Sequence, residues 1–361
     1  MHDIVPIKTP NDEQLDALCG QLREWSGRWS TVAQWPAESL QLCGESGVFR
    51  WFLPKVHGGY EWSSDDQTRG YLRLAEADLT TTFVITQYIG AMRRIAGSGN
   101  DAMIERWLNP LATGQQFGTV GISHLTTSRR HLHRPVLLAS EVADGFLLQG
   151  MSPWVTGAPH AEIYVIGATL EDGREILAAV PRDSPGVQPG GGADLVGLSA
   201  SCTDRVGFES VFVARECVLA GPLEEVMKSG SGAGPGGLQT STLAIGLARA
   251  AANYLLSEAS RREDLNAAAR ELAREVGDLE QELIDGSSGQ SVCNPAEIRG
   301  RSNRVVLRAT QAAMTAAKGA AYVEGHPVGR WCREALFFLV WSCPAPIAQA
   351  HLCEFAFGPE H

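Results

Sequence analysis

The chain has 361 residues, 44% hydrophobic and 20% charged, with a net charge of −11. That length exceeds what one core usually holds, so two or three subdomains are expected. The acidic balance excludes a nucleic-acid partner held by phosphate neutralisation, and the longest apolar run, Ala335 to Trp341, is too short for membrane insertion.

The first third reads as helical. Asn11-Asp12-Glu13-Gln14 opens a helix with Leu15, Leu18, Leu22 and Trp25 on one face. Pro36 opens a second that ends near Gly44 or Gly47, and Ser64-Asp65-Asp66 caps a third. Thr82 to Ile95 is expected to be a buried central helix, and Asn100-Asp101 caps another. The middle third changes character. Short apolar runs at 136–138, 146–148, 163–166, 176–180 and 211–213 are separated by Asp144-Gly145, Asp172-Gly173 and Pro185-Gly186 turns, the pattern of an antiparallel β domain. Ser229 to Gly237 reads as a hinge or linker. Helices are then expected over Thr240–Glu258, over Ala267–Leu283, from Pro295 to about Tyr322, and from Trp331 to about Val340, with Gly286–Ser291 as a separator. The order is α+β: an N-terminal helical domain (1–116), a middle antiparallel β domain (117–226), a linker (227–239) and a C-terminal four-helix bundle (240–361).

Eight cysteines lie scattered, none at C-x-x-C spacing, so neither a zinc site nor a redox dithiol is expected. The polar N-terminus lacks the apolar stretch of a secretory leader, and a cytoplasmic location is expected. No G-x-G-x-x-G follows a strand and opens a helix, which leaves a Rossmann reading without support. Arg129-Arg130-His131-Leu132-His133-Arg134 reads either as a solvated loop or as a site for an anionic group.

Several segments, in order, resemble the acyl-CoA dehydrogenase family. Leu53 to Gly59 is similar to its P-x-x-x-G-G loop, and Gly121-Ile122-Ser123-His124 to its flavin-contacting V-[ST]-E-P. Asp144 to Gly150 followed by Trp154-Val155-Thr156-Gly157 resembles the run that lies against the flavin ring. Arg205 to Val213, Ala244 to Ala248 and His326 to Ala335 resemble later family segments. The resemblance implies a flavin cofactor, FAD with FMN as the alternative. It places Ile122 and Ser123 at the pyrimidine side, Trp154 and Val155 beside the ring, and Thr156 near its reactive nitrogen. Alone, Trp154 is better explained as a core aromatic covering a strand; its setting between Gly150 and Thr156 is what points to flavin. The resemblance further implies a homodimer or homotetramer, with Arg262 and Gly319 at the adenosine half of the cofactor.

The departures bear on function. Ser342 stands where many members carry a glutamate that removes the α-proton of an acyl thioester, and Gly237 occupies the alternative position of that base. Leu265 and Asn266 follow Arg262 where the family has Phe-Gly. His124 replaces an acidic residue, and reads either as a packing residue or as a proton donor near flavin. His351 and Cys343 lie on the segment that closes the family's active site; His124, His351 and Glu324 are the candidate replacement bases. Three functions follow: a dehydrogenase acting on an acyl thioester such as a CoA thioester, or a related small molecule, through a non-standard base; a monooxygenase supplied with reduced flavin by a separate reductase or electron-transfer partner; or a relative that keeps the fold without the reaction.

Overall fold

A computed structural model describes residues 4–126, 135–228, 238–290 and 293–357. The linker residues 229–237 and the basic run 129–134 lie outside them. Five helices come first: α1 (Gln14–Trp25), α2 (Ala37–Glu45), α3 (Ser64–Ala77), α4 (Leu79–Ala96) and α5 (Asp101–Ala112). Side chains fix their starts. Ser63 Oγ accepts from Asp66 N at 3.4 Å, Asp78 from Thr81 N at 3.3 Å and Asn100 from Met103 N at 3.2 Å, each satisfying an amide that the first turn leaves unpaired. The first helix starts at Gln14, not Asn11, because Asp12 turns back to accept from Lys8 N and Thr9 Oγ1.

The loop between α2 and α3 shows why its sequence carries two glycines. Gly58 has φ of 73°, and a Cβ on Gly59 would fall 1.9 Å from Leu53 O. Beside it, the Trp51 and Trp62 rings stack at 4.1 Å, and their indole N–H groups donate to the Ile7 and Lys8 carbonyls.

The strands follow: β1 (Gly118–Gly121), β2 (Leu137–Val142), β3 (Gly145–Val155), β4 (Ile163–Thr169), β5 (Glu175–Pro181), β6 (Val187–Pro189), β7 (Asp204–Ala214) and β8 (Val218–Leu223). A single turn, α6 (Ser123–Thr126), hangs from the end of β1. The sheet runs β6-β7-β3-β2-β4-β5-β8 and is antiparallel except that β1 and β2 both pair with β4 in parallel. Those parallel pairings were not legible in the turn pattern. Asp144 lies in the expected turn, which joins β2 to β3, and from Gly145 through Val155 the chain is one continuous strand. Alternation along β4 divides two cores: Ile163 and Val165 pack with the helices, while Tyr164 and Ile166 pack within the β domain.

The chain closes with α7 (Gln239–Ala259), α8 (Asn266–Ser288), α9 (Pro295–Ala317), α10 (Pro327–Ala335) and α11 (Ala345–Phe357). Helix α8 runs through Gly286-Ser287-Ser288, which the composition suggests is a separator. The two serine hydroxyls bond back to Ile284 O and Asp285 O, and the helix ends on left-handed Gly289. The segment after α10 is a tight 3-10 turn, Leu336–Leu339. Helix α11 lies beyond the last expected helix, which ended near Val340; Pro346 sits in its first turn, where a missing N–H costs nothing. The N-terminal helices and the bundle share one core. At their junction Arg330 Nε lies 3.5 Å from the buried Glu334, whose other near neighbours are Thr80 and Asp78; burial raises the Glu334 carboxyl to about 7. No helix among the described residues is long and apolar enough to cross a membrane.

Candidate functional site

Helix α4, the end of β3, the β1–α6 junction and the 336–343 segment enclose a cavity of about 670 Å³. Phe83, Thr86, Gln87, Gly90 and Arg94 form the α4 wall, and their 3–4 residue spacing puts them on one face. Opposite, Phe337 and Trp341 stack at 5.1 Å, and Phe83 meets both rings edge-on. Trp154 stands at the mouth, 56% exposed, at a strand end with φ of 57°. A left-handed backbone at a bulky residue is costly and points to a constraint beyond packing.

Thr156 is buried and faces the same space. Thr203 Oγ1 donates to Thr156 Oγ1 at 3.1 Å and lies 2.8 Å from Ser201 Oγ. With one lone pair of Thr156 taken by Thr203, its own O–H is left to donate toward the cavity. Ser123 Oγ donates to Pro153 O at 2.8 Å, so this hydroxyl offers the cavity its lone pairs, not its proton. Ile122, Ser342 and Cys343 complete this part of the wall. Burial pushes the Cys343 thiol above its ordinary pKa, against the pull of Arg299, and keeps it protonated at neutral pH.

The electrostatics are one-sided. Among the described residues lining the cavity there are two arginines, Arg94 and Arg333, and no Asp, Glu or His. The candidate bases lie elsewhere. His124 turns into the sheet, where its Nε2 lies 2.8 Å from Gly167 O; that carbonyl can only accept, so Nε2 carries the proton. Burial lowers the His124 pKa to about 4, which leaves it neutral at pH 7 and unable to act as a proton donor there. His351 is buried between α9 and α11, 3.2 Å from Asn303 Nδ2 and 3.6 Å from Glu354; burial lowers its pKa, and Glu354 offsets part of this. Glu324 is exposed on the turn before α10. None of the three lines the cavity.

The first part of the chain, residues 16–115, matches the acyl-CoA dehydrogenase N-terminal domain. Over 60% of its length it is 24% identical to benzylmalonyl-CoA dehydrogenase of Aromatoleum aromaticum, covering 58% of that protein. Over 47% of its length it is 27% identical to the oxygenase component of p-hydroxyphenylacetate 3-hydroxylase of Acinetobacter baumannii, covering 38% of it. Its fold superposes on a glutaryl-CoA dehydrogenase–glutaryl-CoA complex with a TM-score of 0.80, covering 97% of this chain and 96% of the other at 17% identity. The chain thus carries an acyl-CoA dehydrogenase N-terminal domain and is similar in fold to that family along nearly its whole length. It spans 58 to 63% of the length of the curated relatives it matches first.

Against that family the expected residues divide into two groups. Ile122, Ser123, Trp154, Thr156 and Ser342 meet at one cavity. Val155 does not: its side chain is fully buried in the β-domain core. Arg262 and Gly319 share a distant corner of the bundle, where Arg262 Nη1 donates to Ala316 O at 2.6 Å and Nη2 lies 3.6 Å from Asp264. That guanidinium is already engaged within its own chain. Sequence reasoning missed Arg94, Gln87, Thr203 and Arg333; the α4 periodicity was the one signal that could have found Gln87 and Arg94.

Proposed function

We propose that this chain is a flavin-dependent oxidoreductase whose flavin ring rests on the Trp154–Thr156 wall. The donor set supports a flavin. Thr156 offers a hydroxyl proton, the Ile122–Ser123 segment brings backbone groups and the accepting Ser123 oxygen, and Trp154 offers a flat apolar face. The volume suits the ring with a small substrate beside it. When bound, the flavin supplies the redox chemistry; the protein's part is to orient it, to exclude water with Phe83, Phe337 and Trp341, and to hold the substrate. FAD is the expected cofactor and FMN the alternative, because Arg262 is engaged with Ala316 and gives an adenosine half no grip within this cavity. A second copy of the chain meeting the Arg262–Gly319 corner, where Tyr322 and Val323 are exposed, is the proposed oligomer contact.

Of the family's reactions, oxygenation by a flavin that a separate reductase delivers reduced is the one the cavity supports best. The observation that carries this is the described lining without a carboxylate or imidazole. Dehydrogenation of an acyl thioester without a positioned base forfeits about 10²- to 10⁴-fold in rate. The similarity to benzylmalonyl-CoA dehydrogenase favours dehydrogenation as the second reading.

Absorbance decides between them. The protein is loaded with FAD and mixed without oxygen with a panel of acyl-CoA thioesters. An unbleached flavin, with oxygen uptake and an oxygenated product once a reductase supplies reduced flavin, is the expected result. Bleaching by an acyl-CoA overturns the oxygenation reading, and failure to bind flavin in either redox state overturns both.

A further inference from the structure

The cavity wall formed by Phe337, Trp341, Ser342 and Cys343 is held from behind by a buried polar cluster. Arg299 Nη2 donates to Phe338 O at 3.1 Å and to Trp341 O at 2.7 Å, and Asn303 Nδ2 donates to Phe338 O at 3.0 Å. Arg299 and Asn303 stand four residues apart on α9, on one face, and both are buried. The turn has few bonds of its own: Val340 N and Trp341 N both donate to Phe337 O. Its position therefore depends on α9.

Asn303 has a further partner. His351 Nε2, on α11, lies 3.2 Å from Asn303 Nδ2. Phe338 O can only accept, so the amide presents its NH2 group there, and the second N–H of that group meets His351 Nε2. That nitrogen is therefore the unprotonated one. Asn303 Oδ1 is buried and accepts from no group among the described residues. A buried acceptor is left orphaned while both N–H groups are directed at Phe338 O and the imidazole. The charged groups facing the ring are Glu354 on α11, 3.6 Å from Nδ1, and Arg299 and Arg304 on α9. The turn itself adds only the Cys343 thiol, which burial keeps protonated. Burial lowers the His351 pKa, Glu354 opposes this, and the two guanidiniums add to it.

We propose that Asn303 is a positioning residue for the cavity wall, and that His351, through its Nε2 acceptor, decides whether Asn303 holds the Phe338 carbonyl. The proposal rests on the reading that this cavity is the working site. A proton on Nε2 sets N–H against N–H. Asn303 must then turn, and its oxygen cannot replace its NH2 group at Phe338 O, since two acceptors repel. The carbonyl keeps Arg299 alone, and Phe337 and Trp341 lose their fixed place. The held state has the lower histidine pKa and the released state the ordinary value of about 6.5, so the released state takes up the proton first. The wall is fully held above about pH 6.5 and is progressively released below it.

Hydrogen exchange of the full chain, read by mass spectrometry over residues 336–343, tests this at pH 7.5 and pH 5 after division by the intrinsic exchange rate. Exchange of this turn in the wild-type protein should rise by about 3- to 30-fold at pH 5, while α4 stays protected. His351→Gln, whose side-chain oxygen can accept from Asn303 without titrating, should remove the rise. Asn303→Leu should exchange about 2- to 10-fold faster already at pH 7.5 and lose most of the pH response. Equal protection of the wild-type turn at both pH values overturns the proposal. So does a rise that persists in His351→Gln, a rise shared equally by α4, or an Asn303→Leu turn as well protected as the wild type. Should Asn303→Leu fail to fold, the wild type and His351→Gln decide. FAD fluorescence titration of the wild-type sample at pH 7.5 reads the flavin assignment separately. FAD binding beside a turn indifferent to pH sinks the proposal alone, and a pH-sensitive turn without FAD binding sinks the flavin reading alone.

Discussion

Trp154 and Ser342 reach the same cavity from the β domain and from the C-terminal helices, and both do so with a left-handed backbone, at φ of 57° and 45°. A non-glycine residue there costs about 1–2 kcal/mol. Two such residues on one wall mark where the fold gives up local stability to shape a surface.

Trp154→Ala should weaken flavin binding roughly 2- to 10-fold, the range expected when ring stacking is lost. Stability should change little, because the ring is more than half exposed. Fluorescence titration with FAD and FMN, alongside thermal melting, checks both. Unchanged affinity removes Trp154 from the flavin wall.

Thr203→Val removes the donor that orients Thr156 Oγ1 and, with it, the Ser201 contact. The expected loss is about 0.5–1.5 kcal/mol of flavin affinity. A variant that binds flavin as the wild type does would show that the hydroxyl chain is packing only.

Ser342→Glu puts a carboxylate on a wall whose described lining has none. Anaerobic bleaching of bound flavin by an acyl-CoA should rise by about 10-fold or more, within the range of general-base catalysis. No gain, in a variant that still folds and holds flavin, means that Ser342 is not positioned to serve as a base.

His124 gives stability a pH dependence of known sign. Its folded pKa of about 4 lies below the unfolded value of about 6.5, so the unfolded chain takes up the proton first. The contribution is complete above about pH 6.5 and falls by about 1.4 kcal/mol per pH unit down to about pH 4. Urea unfolding at pH 7 and pH 5 should show the drop, and His124→Gln should flatten it. An equal slope in the variant assigns the effect to other groups.

Gly246 lets α7 approach α3. A Cβ there would lie 2.7 Å from Ala75 Cβ and 2.9 Å from Leu72 O. Gly246→Ala should destabilise by about 1–3 kcal/mol, read as a lower urea midpoint. A rise in the midpoint would mean that the helices separate freely.

What the sequence disclosed follows from what is local. Caps at Ser63 and Asn100 and the Asp144-Gly145 turn are decided within a few residues, and the helix–sheet–helix order is visible from them. Helix α4 begins at Leu79, earlier than its apolar pattern suggests, because Thr80 to Thr82 look polar yet are buried and Asp78 accepts from the Thr81 hydroxyl. The site was half legible. Trp154 and Thr156 sit in a recognisable run, whereas Thr203 meets Thr156 only through the β3–β7 pairing and Arg94 faces the cavity only through the packing of α4 on β1. Of the two readings of His124 the packing one holds, and the sequence left the choice open for the same reason: position in the chain says nothing of which way a ring turns at the end of a strand.

The parallel pairing of β1 with β4 has a consequence for how the molecule assembles. Gly118 pairs with Ile163, and the β2–β3 hairpin lies between them in the chain. Contacts so distant in sequence form late, after the loop-closure entropy of the intervening segment has been overcome. Ile122 and Ser123 follow β1 directly, so the wall they complete closes only when this pairing is made. A ligand of this cavity therefore recognises finished molecules and passes over partly folded ones, and its binding can report the last stage of refolding.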